Sequence, residues 1–177
     1  STKALEVDVT EIKDGEELNF GNLRVKTVTV MHLPVRHAFG FVFETAEEKA
    51  VISGDTIYCP ALIEAAKGAD VLLHEVFIHG EMSLVEGNRT PKTVENVASY
   101  HTLDSVVGRV ATDAEVSCLM LTHFAPPKFD REKLLSTVSR DFAGPVLVGE
   151  DLMTLDLARN SISWKKMQIA LGSVNLN

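Results

Sequence analysis

Five side chains in this sequence can bind a metal or move a proton, and each stands where an element begins or ends. They are His32 in VKTVTVMH, Asp55 in ISGDT, Glu75 in VLLHEVF, His101 in SYHT and His123 in LMLTHFAPP. Imidazole nitrogens and carboxylate oxygens are ligands for zinc, manganese or iron. The spacing is long-range, with neither HExxH nor CxxC. Taken one at a time, each residue has a plainer explanation. A histidine at a strand end is usually a hydrogen-bonded structural residue. Asp55 could equally close a turn or cap the helix that follows. His79 in FIHGEM reads as an exposed loop residue, and His37 stays outside the site. Cys59 and Cys118 read as reduced or buried core thiols rather than ligands or a disulfide framework.

The elements that must position these groups follow from periodicity and punctuation. NLRVKTVTVMH is rich in β-branched residues and predicts a strand ending near His32. FGFVFET and KAVISGD predict a hairpin with its turn at the paired glutamates, leaving Asp55 just past a buried strand. PALIEAAKG is a short helix with Pro60 in its first turn and Gly68 past its end. ADVLLHEVF is an apolar strand carrying His74 and Glu75, and KTVENVASY is helical. Thr102 is the expected cap of TLDSVVGRVATDA, whose Leu103, Val106, Val107, Val110 and Ala111 share one face. VSCLMLTH is a buried strand ending at His123, with Pro126 and Pro127 closing the element. REKLLSTVSRDF is a helix capped by Asp130, and PVLVGED, LMTLDLA and SISWKKMQI close the chain as three strands. Alternating strands and helices with continuous apolar strands indicate an α/β layered fold. If the boundaries share one edge of the layers, the five polar groups converge.

Composition bounds the rest. The 177 residues are 45% apolar, enough for one domain with a core. The net charge of −8, from 25 acidic and 17 basic residues, argues against wide contact with nucleic acid phosphates. It leaves room for a small anionic substrate held through metal. No apolar run approaches the roughly 20 residues of a membrane span. The N-terminus does not read as a signal peptide, and it begins with Ser1 rather than Met, as a processed or partial chain would. The compartment stays open between the cytoplasm and, if a leader was removed, the periplasm. The acidic run EIKDGEE reads as a solvated turn.

In order, SGDT, GADVLLHEV, YHT before a helix and LTHFAPP resemble the C-terminal half of the metallo-β-lactamase superfamily. The subgroup they resemble is the ribonuclease Z and arylsulfatase-like branch, to which MHLPVRHAFGFVFE is also similar. The resemblance covers roughly residues 10 to 157 and implies a metallo-β-lactamase-type αββα sandwich. It implies two divalent metal ions, with zinc expected and manganese or iron accepted by the same ligands. His32 would bind the first metal, His123 the second, and Asp55 would bridge them. His101 would protonate the leaving group, with Glu75 orienting it. The implied function is a hydrolase that uses metal-activated water on a small ester. A homodimer is the oligomer that relatives suggest.

The sequence departs from that pattern in one respect. HxHxDH, which supplies four further ligands in the family, is absent from residues 1–177. The expectation is a single domain over 1–177 that lacks the HxHxDH-bearing half, whether cleaved, on another chain or lost. A sheet left without its partner would expose a large apolar face. The alternative is a metal-poor scaffold or binding domain of the same fold. Only 22 residues separate His32 from Asp55. The long insertion of the tRNA-binding members is missing there, so a phosphodiester, sulfate ester or lactone is expected rather than nucleic acid.

Overall fold

β-Branched residues dominate Leu23–His32, and they form a ten-residue strand (β2) that pairs antiparallel with Glu17–Phe20 (β1) and Val35–Glu44 (β3). The computed structural model describes residues 9–84 and 89–170. Part of the acidic run expected to be a solvated turn is thus strand, since Glu17 opens β1. Lys49–Ile52 (β4) completes the expected hairpin with β3. From there the sheet turns parallel, through Val71–Phe77 (β5), Leu119–Ala125 (β6) and Val146–Val148 (β7). The seven strands run in chain order, β1 to β7.

Parallel neighbours need crossovers, and helices supply them. Pro60–Ala66 (α1) links β4 to β5, with Pro60 at its start and Gly68 beyond its end at φ +64°. Pro91–Ala98 (α2) and Asp104–Asp113 (α3) link β5 to β6, and Arg131–Val138 (α4) links β6 to β7. Asp130 caps α4 as expected, its carboxylate accepting the Lys133 N–H at 3.1 Å. The cap expected of Thr102 is not there. Leu103 occupies the cap position of α3 without a side-chain bond, because the Thr102 hydroxyl donates to the Thr56 carbonyl instead.

The core lies between the sheet and the helices. Val42, Val51, Leu72, Val76, Leu119 and Leu121 project from the strands onto Leu62, Val107, Val110 and Leu134. Alternation then puts Phe39, Phe41 and Phe43 on the opposite face, where they are half-buried, beside the exposed Ile52. Thr154–Asp156 (β8), Ser161–Trp164 (β9) and Met167–Ala170 (β10) form a separate antiparallel sheet. SISWKKMQI is therefore two strands, not one, turned at Lys165 with φ +56°. Leu23, Phe43 and Ala50 share a cleft with Thr154–Ala158, so the small sheet covers part of the second face.

Candidate metal centre

Each candidate ligand leaves the sheet by a different local device. His32 is the last residue of β2, as expected. Asp55 lies three residues past β4, after Gly54 at φ +60°. A side chain at Gly54 would overlap the Phe39 carbonyl, so only glycine lets this loop lie against β3. His123 does not end its strand. Its neighbours Thr122 and Phe124 pair with Glu75 and Val76, leaving His123 unpaired in a bulge within β6 at φ +47°. In unbroken register it would sit beside Val76, which faces the helix layer. The bulge re-aims it, a common device beside functional sites.

These three side chains meet. The Asp55 Oδ2 atom lies 3.9 Å from His32 Nε2 and 3.3 Å from His123 Nε2. Two ligand atoms at about 2.0–2.1 Å from one tetrahedral ion are about 3.4 Å apart, so both spacings suit a shared carboxylate. His32 donates its Nδ1–H to the Tyr100 carbonyl at 2.8 Å. A carbonyl only accepts, so Nδ1 carries a proton, and Nε2 is the ring nitrogen turned toward Asp55. His123 is well exposed and Asp55 about one-third exposed, so the cluster opens to solvent. Among the described residues the set whose ligating atoms all lie within 4.8 Å of one another is His32, Asp55 and His101, and His123 joins it through Asp55. Two ions would require donors beyond these.

Behind the cluster sits a buried carboxylate. Glu75 is 2% exposed, and its Oε1 accepts from His101 Nδ1 at 3.1 Å, Thr102 N–H at 2.9 Å and Thr56 N–H at 3.2 Å. The Glu75 hydrogen bond holds the His101 imidazole above its ordinary value, against the opposing pull of partial burial. Sequence reasoning brought together His32, Asp55, Glu75, His101 and His123 but missed Thr56 and the Tyr100 carbonyl. The threonine of GDT was visible without an assigned role, and a backbone carbonyl carries no residue-type signal.

Comparison with known proteins is consistent with this geometry. The mixed sheet with helices packed against it is the metallo-β-lactamase fold. A crystal structure of the metallo-β-lactamase fold protein YhfI from Bacillus subtilis matches at TM-score 0.63 and 19% identity, over 78% of this chain and 52% of that one. CmlA from Streptomyces venezuelae, a diiron β-hydroxylase, matches at TM-score 0.57 and 13% identity, over 80% and 33%. The beta-lactamase superfamily domain model matches residues 1–124, and the chain belongs to that family. A ribonuclease Z of Mycolicibacterium paratuberculosis is 30% identical over 148 residues, 82% of this chain and 51% of that protein. The chain spans about half the length of the curated relatives it matches. Their name is in mild conflict with the expectation that nucleic acid is an unlikely partner. No helix among the described residues is long and apolar enough to cross a membrane.

One histidine of the HE pair serves a different end. His74 is fully buried, donates Nδ1–H to the Glu75 carbonyl at 2.7 Å, and leaves Nε2 without a hydrogen-bond partner. Burial pushes its imidazole below the ordinary value. The folded protein therefore excludes a proton that the unfolded chain takes up below pH about 6.5. That contribution to stability is complete above the unfolded value and is lost as pH falls, at up to about 1.4 kcal/mol per pH unit. Chemical denaturation between pH 7 and 5 should show this decline, and His74→Leu should flatten it. An unchanged slope in the variant would show that other groups cause it.

Proposed function

We propose that this chain carries part of the active site of a metal-dependent hydrolase that cleaves a phosphodiester. One observation carries the reading: a carboxylate stands between two imidazole nitrogens beside a buried Glu75–His101 pair. His32, Asp55 and His123 would hold the metal, with Asp55 placed to touch two ions. Zinc fits this donor set, as do manganese and iron. When bound, such ions supply a hydroxide nucleophile at neutral pH and polarise the oxygen under attack.

The chain's own residues do the rest. His101 sits beside Asp55 with Nδ1 fixed on Glu75, so a protonated His101 can give its Nε2 proton to a departing oxygen. Glu75 holds the ring in that tautomer and favours the charged form. The relatives' name favours a phosphodiester over a sulfate ester or lactone, and it brings RNA back among the candidates. The fold alone does not select the reaction, since a diiron hydroxylase shares it. For the native protein we expect turnover of bis(p-nitrophenyl) phosphate that disappears with a chelator and returns with zinc or manganese. Cleavage of a tRNA precursor in parallel assigns the size of substrate.

A second reading, a metal-poor binding domain, is favoured by the donor count, since His32, Asp55 and His123 are too few to hold two ions. It predicts a native protein that takes up no zinc and shows no chelator-sensitive turnover.

A further inference from the structure

One buried threonine next to Asp55 bonds to the residues beside His32 and His101 and to Glu75 itself. Thr56, beside Asp55, is wholly buried. Its hydroxyl accepts the N–H of Met31, beside His32, at 3.1 Å and donates to the Ile57 carbonyl at 2.9 Å. Its own carbonyl accepts the hydroxyl of Thr102, beside His101, at 2.6 Å. Its N–H donates to Glu75. A second rung, Ile57 N–H to the Met31 carbonyl at 3.1 Å, closes the join to β2. Thr102 is 1% exposed, and its N–H reaches the same Glu75 oxygen as Thr56. Every polar atom of Thr56 is thus used, and each bond runs either to its own loop or to a segment that delivers a site residue.

We propose that Thr56 is a positioning residue, whose bonds to Met31, Thr102 and Glu75 set His32, Asp55 and His101 in register with one another. The inference rests on the metal-centre reading above. Buried polar bonds suit this task because leaving one partner unpaired is costly, so the segments that carry these residues cannot drift separately. Hydrophobic packing would tolerate such drift. Strand pairing supplies only part of the register: a bridge from Phe77 to Leu103 ties the His101 segment to β5, but β2 and β5 are not neighbours in the sheet, so His32 and Asp55 are not fixed to that pair by it.

The test compares Thr56→Val, which keeps shape and loses the hydroxyl, with Thr56→Ser, which keeps the hydroxyl. Val107→Ala is a control for general destabilisation, since Val107 lies in the helix-side core. Zinc affinity, measured by competition with a chromophoric chelator, should fall about tenfold or more in Thr56→Val, the scale seen when residues supporting metal ligands are removed. It should recover in Thr56→Ser and stay at the starting value in Val107→Ala. Amide hydrogen exchange in the metal-free protein gives an independent reading. Loss of the hydroxyl should speed exchange at Met31 and also at Thr102, whose own bonds the substitution leaves in place. Zinc affinity that falls equally in Thr56→Ser or in Val107→Ala would overturn the proposal. So would faster exchange at Met31 with none at Thr102, whether or not the protein binds zinc. A wild-type protein that takes up no zinc refutes the metal-centre reading, and the exchange experiment still decides the role of Thr56.

Discussion

Asp55→Ala should abolish metal-dependent turnover and cut zinc affinity by more than about a hundredfold, beyond the 10–100-fold range for residues that only support ligands. The reason is geometric. Oδ2 of Asp55 lies near both His32 Nε2 and His123 Nε2, so its loss removes a donor from both at once. Either histidine alone would remain a single imidazole, too few ligands for a tight site. The fold should survive, because Asp55 lies in a partly exposed loop and the core cluster does not include it. Isothermal titration with zinc, alongside thermal unfolding, checks both halves of the expectation. An alanine variant that binds zinc as the wild type does would mean that the shared carboxylate is not a ligand.

The second large effect is expected at His101, with a different signature. His101→Ala should lower kcat by about 10²- to 10⁴-fold, the usual contribution of a positioned proton donor, while zinc affinity stays near that of the wild type. This separation distinguishes an acid from a ligand, since His101 also lies within reach of His32 and Asp55. The pH profile sharpens it. A general acid works only while protonated, so the rate should fall as pH rises through the His101 value, which Glu75 holds above the ordinary 6.5. Glu75→Gln removes the carboxylate charge and leaves the opposing pull of burial. The alkaline limb should therefore move to lower pH. The same raised value makes His101 stabilising below its unfolded value, an effect lost as pH rises, opposite in sign to His74. A limb that stays in place in Glu75→Gln would remove Glu75 from the orienting role.

Much of this was legible in the residues. VKTVTVMH announced a strand ending at His32, SGDT placed Asp55 just past a strand, and Asp130 capped its helix. Such features are local, so side-chain type and period reveal them. What stayed hidden depends on pairing partners. His123 looked like a strand terminus, but its aim comes from a bulge created by where β6 pairs with β5. Thr102 looked like a helix cap because threonine preceding a helix usually is one, yet its hydroxyl found a buried carbonyl from a loop 46 residues away. The acceptor for His32 is a main-chain oxygen, to which the identity of Tyr100 gives no clue. SISWKKMQI read as one strand because nothing in its alternation marks the turn at Lys165. The order of the site motifs along the chain carried the family resemblance, and the domain model over residues 1–124 bears it out.

The central claim is that Asp55 holds a metal ion together with His32, with His123 or with both. A crystal structure of zinc-soaked native protein, with anomalous scattering at the zinc edge, tests it most directly. The account predicts an anomalous peak within about 2.0–2.2 Å of Asp55 Oδ2 and of at least one of His32 Nε2 and His123 Nε2. A peak at Cys118, at His79 or at the surface acids, with this cluster empty, would contradict it.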